Sequence, residues 1–204
     1  PFSLPSLAGT PLEGFTVKEL DTSTAVDGHT TGLKDGTLYL NFKDATSIEA
    51  GKPYIVKKAD LFISSEAEWN TFAQNVNDGT SYEGKTVMLG ADINVLTMAG
   101  MNEKPFCGTF DGNGHTINVN LRGGGEGLAL FYIIDGATIQ NVKVTGTINS
   151  SYHRPATFAA FVEGSSTIRN CWSSVVITST YNIDWIDCGA FVARVSTDAT
   201  LTMT

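Results

Sequence analysis

Two loops of this chain carry residues that suit ligand binding. They are Asn149-Ser150-Ser151-Tyr152-His153-Arg154-Pro155 and Thr180-Tyr181-Asn182-Ile183-Asp184-Trp185-Ile186-Asp187. Tyr152, His153, Arg154, Tyr181, Asp184 and Trp185 are the candidates. Aromatic faces stack on the C–H surfaces of sugars, and charged neighbours bond hydroxyls. A glycan, or a host or matrix surface, is the class of ligand such loops would take.

Catalysis needs a different set. A glycosidase requires two facing carboxyl groups, roughly 5–10 Å apart. A lyase requires a base, often beside Ca²⁺ held by several carboxylates. Asp92, Asp111 and Asp135 each lie in or next to a turn phrase. In Asp111-Gly112-Asn113-Gly114 the residue types fit a tight turn, since Asp, Asn and Gly tolerate positive φ. Asp184 and Asp187 share one loop, and Glu126 lies in an earlier one; a cation or sugar could sit there, though a solvated loop is the plainer reading. His115 reads as a strand-start residue, and His29 falls in a polar segment, 21–32, expected to be a mobile loop. No Ser/His/Asp phrase, phosphate loop or H-E-x-x-H occurs. Cys107, Cys171 and Cys188 form no CxxC pair, so no zinc site is expected. Their number is odd, so at least one is free or bonds another molecule; buried, reduced and space-filling is the expectation. No catalytic residue, metal or cofactor is assigned.

The composition limits the partners. Lys and Arg number 13 against 21 Asp and Glu, a formal charge of −8, and the basic residues form no run. Nucleic acid needs a clustered basic face and is not expected. The longest apolar run, Leu128–Ile134, has strand length, so this segment is not expected to enter a membrane. Only 17% of residues are charged, while there are 25 Thr and 21 Gly. Neutral polar residues and frequent corners suit strands and not a helical bundle.

The elements that position the loops follow from pattern. Residues 1–60 read as a small β module with strands near 14–20, 37–42 and 53–57, divided by Gly, Asp and Pro signals. Residues 64–78 read as a helix. Ser65 and Glu68 have capping-box spacing, Trp69, Phe72, Ala73 and Val76 form one stripe, and Gly79 suits the residue past its end. From residue 85 a repeat appears. Phe131, Phe161 and Phe191 recur at thirty-residue intervals, each in a small-and-apolar phrase. Thr-plus-aliphatic pairs recur at Thr116-Ile117, Thr138-Ile139, Thr167-Ile168 and Thr200-Leu201. Two or three short strands per repeat, without a helix, predict one coil each of a parallel β-helix. The equivalences predict ladders of Phe131, Phe161 and Phe191, and of Ile117, Ile139, Ile168 and Leu201. Asn141 and Asn170 should form a structural asparagine ladder, and Cys171 should match Val142. The repeats differ most in the loops described above, and insertions at one register position of a solenoid emerge on one face.

Phe106-Cys107-Gly108-Thr109-Phe110-Asp111-Gly112-Asn113-Gly114-His115-Thr116-Ile117 resembles the phrase that opens many right-handed β-helix regions. The later copies resemble the GLUG-type repeat of secreted and surface proteins from gut and oral anaerobic bacteria, with Tyr132 and Val162 where that repeat has Gly. Residues 61–97 are similar to the cap of those proteins, and residues 46–57 to a β module that often precedes it. The resemblance implies an all-β protein: a short right-handed parallel β-helix over 61–204 with an N-terminal helical cap, after a β module over 1–60. It also implies an extracellular or cell-surface, adhesin-like binding role. Fold alone does not decide activity, because polysaccharide lyases and glycoside hydrolases share it. A carbohydrate-active enzyme and a plain spacer are therefore the alternatives. Thr204 falls inside a repeat phrase, which predicts further chain, or edge-to-edge self-association, over the exposed coil edge.

Overall fold

The computed structural model describes residues 59–182 and 187–204 in full, and within residues 1–58 the backbone of six strands. Two compact units divide the chain, Pro1–Leu61 and Phe62–Thr204. The strands of the first are β1 (Phe2–Leu4), β2 (Phe15–Glu19), β3 (Ala25–Val26), β4 (His29–Lys34), β5 (Thr37–Phe42) and β6 (Tyr54–Lys58). They form two antiparallel sheets, ordered β1-β5-β4 and β3-β2-β6. The segment expected as a loop, 21–32, holds β3 and four of the six residues of β4. Pairing explains the difference: β4 runs beside β5 from His29 opposite Phe42 to Lys34 opposite Thr37. A ladder of backbone bonds holds a polar strand as well as an apolar one.

The second unit is β-structure with one short helix. After β7 (Leu61–Ile63) comes α1 (Glu66–Asn77). Ser65 has extended backbone, and its Oγ accepts from the Glu68 N–H at 3.3 Å. The Glu68 carboxylate returns the bond, accepting from Ser64 N–H at 2.7 Å. The stripe Trp69, Phe72, Ala73 and Val76 is buried, and Gly79 ends the helix at φ +104°. That φ is in a region a side chain rarely adopts.

Strands then follow in order: β8 (Thr86–Leu89), β9 (Ile93–Val95), β10 (Thr109–Asp111), β11 (Thr116–Gly123), β12 (Phe131–Asp135), β13 (Thr138–Gln140) and β14 (Lys143–Ser150). The last are β15 (Ala159–Glu163), β16 (Ser165–Arg169), β17 (Trp172–Ser179), β18 (Val192–Val195) and β19 (Thr200–Met203). They join three sheets in rotation, ordered β19-β16-β13-β10-β8-β7, β17-β14-β11-β9 and β12-β15-β18. From β8 onward the pairing is parallel.

The registers correct the expected ladders. In the first sheet Val87, Phe110, Ile139, Ile168 and Met203 stand opposite one another. Ile117 belongs to the second sheet, opposite Ile93 and Val144, and Leu201 stands opposite Ser166. Strand alternation has period two, so a two-residue shift leaves the inward pattern unchanged and sequence spacing alone cannot detect it. No three-way Phe stack forms either. Phe131 stands opposite Ala159 and joins Trp69, Phe72, Phe106 and Phe110, with ring centroids 5.0–6.3 Å away. Phe158 packs on Phe191 at 5.1 Å. Phe161 is half-buried against Tyr132 and under the Arg154 guanidinium.

The Asn pair behaves as a ladder. Asn170 Nδ2 donates to Asn141 Oδ1 at 2.8 Å, and Asn141 Nδ2 donates to Asp111 Oδ1 at 3.0 Å. Both Asn residues have positive φ, as corners require. Gly112 lies beside this corner, where a Cβ would collide with the Val142 side chain and the Asn141 carbonyl. No helix among the described residues is long and apolar enough to cross a membrane.

Candidate functional site

Parallel register carries the two candidate loops to the same place. Gly123 stands opposite Ser150, and Ser150 opposite Ser179. The next strands meet again where Leu128 bridges Pro155 and Ala156 bridges Gly189. The chain therefore leaves the ladder after Ser150 and after Ser179 at neighbouring positions, and rejoins it around Pro155–Ala156 and at Gly189.

A shared local device then sets the two tyrosines. Ser150 Oγ accepts from the Tyr152 N–H at 3.1 Å, and Ser179 Oγ accepts from the Tyr181 N–H at 3.3 Å. Each is a serine turn that bonds the backbone two residues on. Both serine hydroxyls also donate to the Tyr152 carbonyl, at 3.0 and 3.3 Å. The phrase Ser-x-Tyr, repeated at 150–152 and 179–181, is the signal that would have paired the tyrosines from sequence.

Tyr152, His153 and Tyr181 form a three-ring cluster. Centroids are 4.5 Å apart for the two tyrosines, 4.4 Å for Tyr152 and His153, and 4.1 Å for His153 and Tyr181. The tyrosines are half-buried, and His153 is only 5% exposed. Loss of solvent, and the Tyr152 hydroxyl to which it bonds, push the Tyr181 phenol above its ordinary value. Arg154 is also buried, at 6% exposure. Its Nε donates to Asp187 Oδ2 at 3.1 Å, and its guanidinium lies over the Phe161 ring at 5.3 Å. It occupies positive φ, 54°, which costs a non-glycine residue about 1 kcal/mol or more and which these contacts hold in place. His153 thus packs as a buried ring against both tyrosines, and Arg154, next to it in sequence, is buried and held by Asp187 and Phe161. The adjoining loop contributes to this burial. Asp184 and Trp185 lie outside the described residues.

Several carboxylates weighed for catalysis are structurally occupied. Asp111 is buried and accepts from Asn113 N–H at 2.7 Å, Gln140 Nε2 at 2.9 Å and Asn141 Nδ2 at 3.0 Å. Asp92 Oδ1 lies 3.2 Å from His115 Nδ1 and accepts from Thr116 N–H at 2.8 Å. Asp187 takes the Arg154 bond. No cluster of three potential metal ligands occurs among the described residues. The three cysteines are free thiols, and burial raises the pKa of each. Cys171, at the position after Asn170, is half-buried where Val142 is fully buried, and Cys188 is exposed, so space-filling describes it poorly.

No family model, curated protein or solved structure matches the chain.

Proposed function

We propose that the second unit is a short right-handed parallel β-helix capped by α1, and that it is a non-catalytic binding module for glycans. Rotation of successive strands through three parallel sheets supports the coil reading. The handedness follows from the near-universal right hand of parallel crossovers. The GLUG-like phrases favour an extracellular or bacterial-surface setting and an adhesin-like role, with host or matrix glycans as ligands. The observation that carries binding is the Tyr152–His153–Tyr181 cluster: two part-exposed phenols held by a buried imidazole on adjoining loops. Such a pair offers ring faces for C–H stacking and hydroxyls for hydrogen bonding, already ordered before a ligand arrives. The non-catalytic reading rests on Asp92, Asp111 and Asp187, whose oxygens already serve the scaffold.

A glycan array probed with the intact chain and with Tyr181→Ala tests the reading. Retained glycans should bind the variant about tenfold more weakly, the scale of one lost aromatic stack. An array without hits, or one on which both proteins bind alike, contradicts it.

A further inference from the structure

The second sheet has a feature that the loop cluster does not use. None of the residues of β9, β11, β14 and β17 is Asp or Glu, in a chain with 21 acidic residues and a net charge of −8. The outward positions instead carry mostly amides and hydroxyls, with two cations, Lys143 and Arg122, and two exposed apolar side chains, Trp172 and Val176. Asn118 stands opposite Thr145, and Asn120 opposite Thr147; the Thr hydroxyls donate to the Asn carbonyls at 3.4 and 3.3 Å. At one end of this face Lys143 stands opposite Trp172. The Lys143 ammonium lies 4.6 Å from the indole centroid, and Trp172 remains 49% exposed. An open depression of about 390 Å³ adjoins the pair, bordered by Asn141, Asn170 and Gly114. Two carboxylates lie nearby: Asp92, the residue before β9, is bonded to His115 and Thr116, and Asp111 is buried and bonded to Asn141.

These facts fit one ligand chemistry. An exposed indole offers a large apolar ring face for stacking. The Lys143 ammonium covers one face of the indole, so a sugar stacks on the opposite face with the counter-charge across the ring from it. A row of neutral donors and acceptors meets hydroxyls at strand spacing, about 4.8 Å from coil to coil. A face free of carboxylates, on an otherwise acidic protein, admits an anion that the rest of the surface repels. We infer that the outer face of the second sheet binds a linear anionic polysaccharide, with a sugar ring on Trp172, its acid group at Lys143, and further sugars along the Asn/Thr rows toward Arg122. The ligand class rests on the glycan-binding reading above; the site is separate from the loop cluster.

Affinity electrophoresis of the intact chain tests this. The gels contain polygalacturonate, dextran sulfate, a neutral glucan or single-stranded DNA. Trp172→Ala and Lys143→Glu are exposed substitutions and should fold normally, which circular dichroism checks. Polygalacturonate or dextran sulfate should retard the wild type, and the two gels separate carboxylate from sulfate as the preferred acid. Each variant should bind about tenfold more weakly, and added salt should weaken binding further. Met101→Ala, exposed and outside both sites, should be retarded like the wild type; loss of binding by Tyr181→Ala with undiminished binding by Trp172→Ala and Lys143→Glu would move the ligand to the loop cluster. The proposal is overturned by absence of retardation in both anionic gels at low salt. Undiminished binding by Trp172→Ala and Lys143→Glu, or equal retardation by DNA, overturns it too.

Discussion

Asp111 shows how a side chain that resembles a catalytic group becomes a structural one. Its carboxylate collects a backbone N–H from its own corner and two amides from the next coil. Two polar rows end on it. Arg169 donates to Gln140 Oε1 through Nε at 2.8 Å, and Gln140 donates to Asp111; Asn170 donates to Asn141, and Asn141 to Asp111. Hydrogen bonds to a charged acceptor contribute about 1.5–3 kcal/mol each, and removing the acceptor also strands its donors. Asp111→Ala is therefore expected to lower stability by about 3 kcal/mol in denaturant melts. A loss below about 0.5 kcal/mol, the usual scale of surface substitutions, would contradict the ladder. The corner was legible in part. Asp, Gly and Asn announced a turn, and the Asn141/Asn170 match announced stacking. That Gln140 and Arg169 join was not legible, because polar residues at strand ends read equally well as solvated. The burial of His153 and Arg154 was not legible either, because it comes from a loop some thirty residues later.

Among the elements, α1 is the most legible, since its caps and its stripe are local. Its tertiary work is less so. Trp69 is fully buried, its indole N–H donates to the Thr97 carbonyl at 2.8 Å, and its ring meets Phe72, Phe110 and Phe131 at 5.3–6.0 Å. The helix thus brings its aromatic stripe onto residues of the first and third sheets. Trp69→Ala should cost about 3–5 kcal/mol, as large aromatic truncations in cores do. Ser65→Ala, which removes only the cap, should cost about 1 kcal/mol. Thermal or urea melts of the two variants check the contrast, and equal effects would show that the helix is not anchored through Trp69. The strands were legible as strands, but their register was not. Ile117 resembled Ile139 in phrase yet lies in another sheet, and Phe158 stacks on Phe191 although Phe161 had the even spacing. Loops of unequal length break the count, and alternation hides two-residue shifts.

At the scale of the whole molecule, low charge with abundant Thr and Gly now has a location. Among the described residues, neutral polar side chains line the outer face of the second sheet, further Thr fall in the first, and several glycines sit at corners and close approaches. The last strand of each sheet, β17, β18 and β19, carries an exposed apolar residue: Trp172 and Val176, Val195, and Met203. The central claim is that the chain holds a polysaccharide without cutting it. The direct measurement incubates the protein with neutral and uronate polysaccharides and follows, in the same samples, bound protein and new chain ends. The account predicts retention of the protein with no rise in reducing or unsaturated ends. Sustained release of new ends by the wild type, or failure to bind any of the polysaccharides, would contradict it.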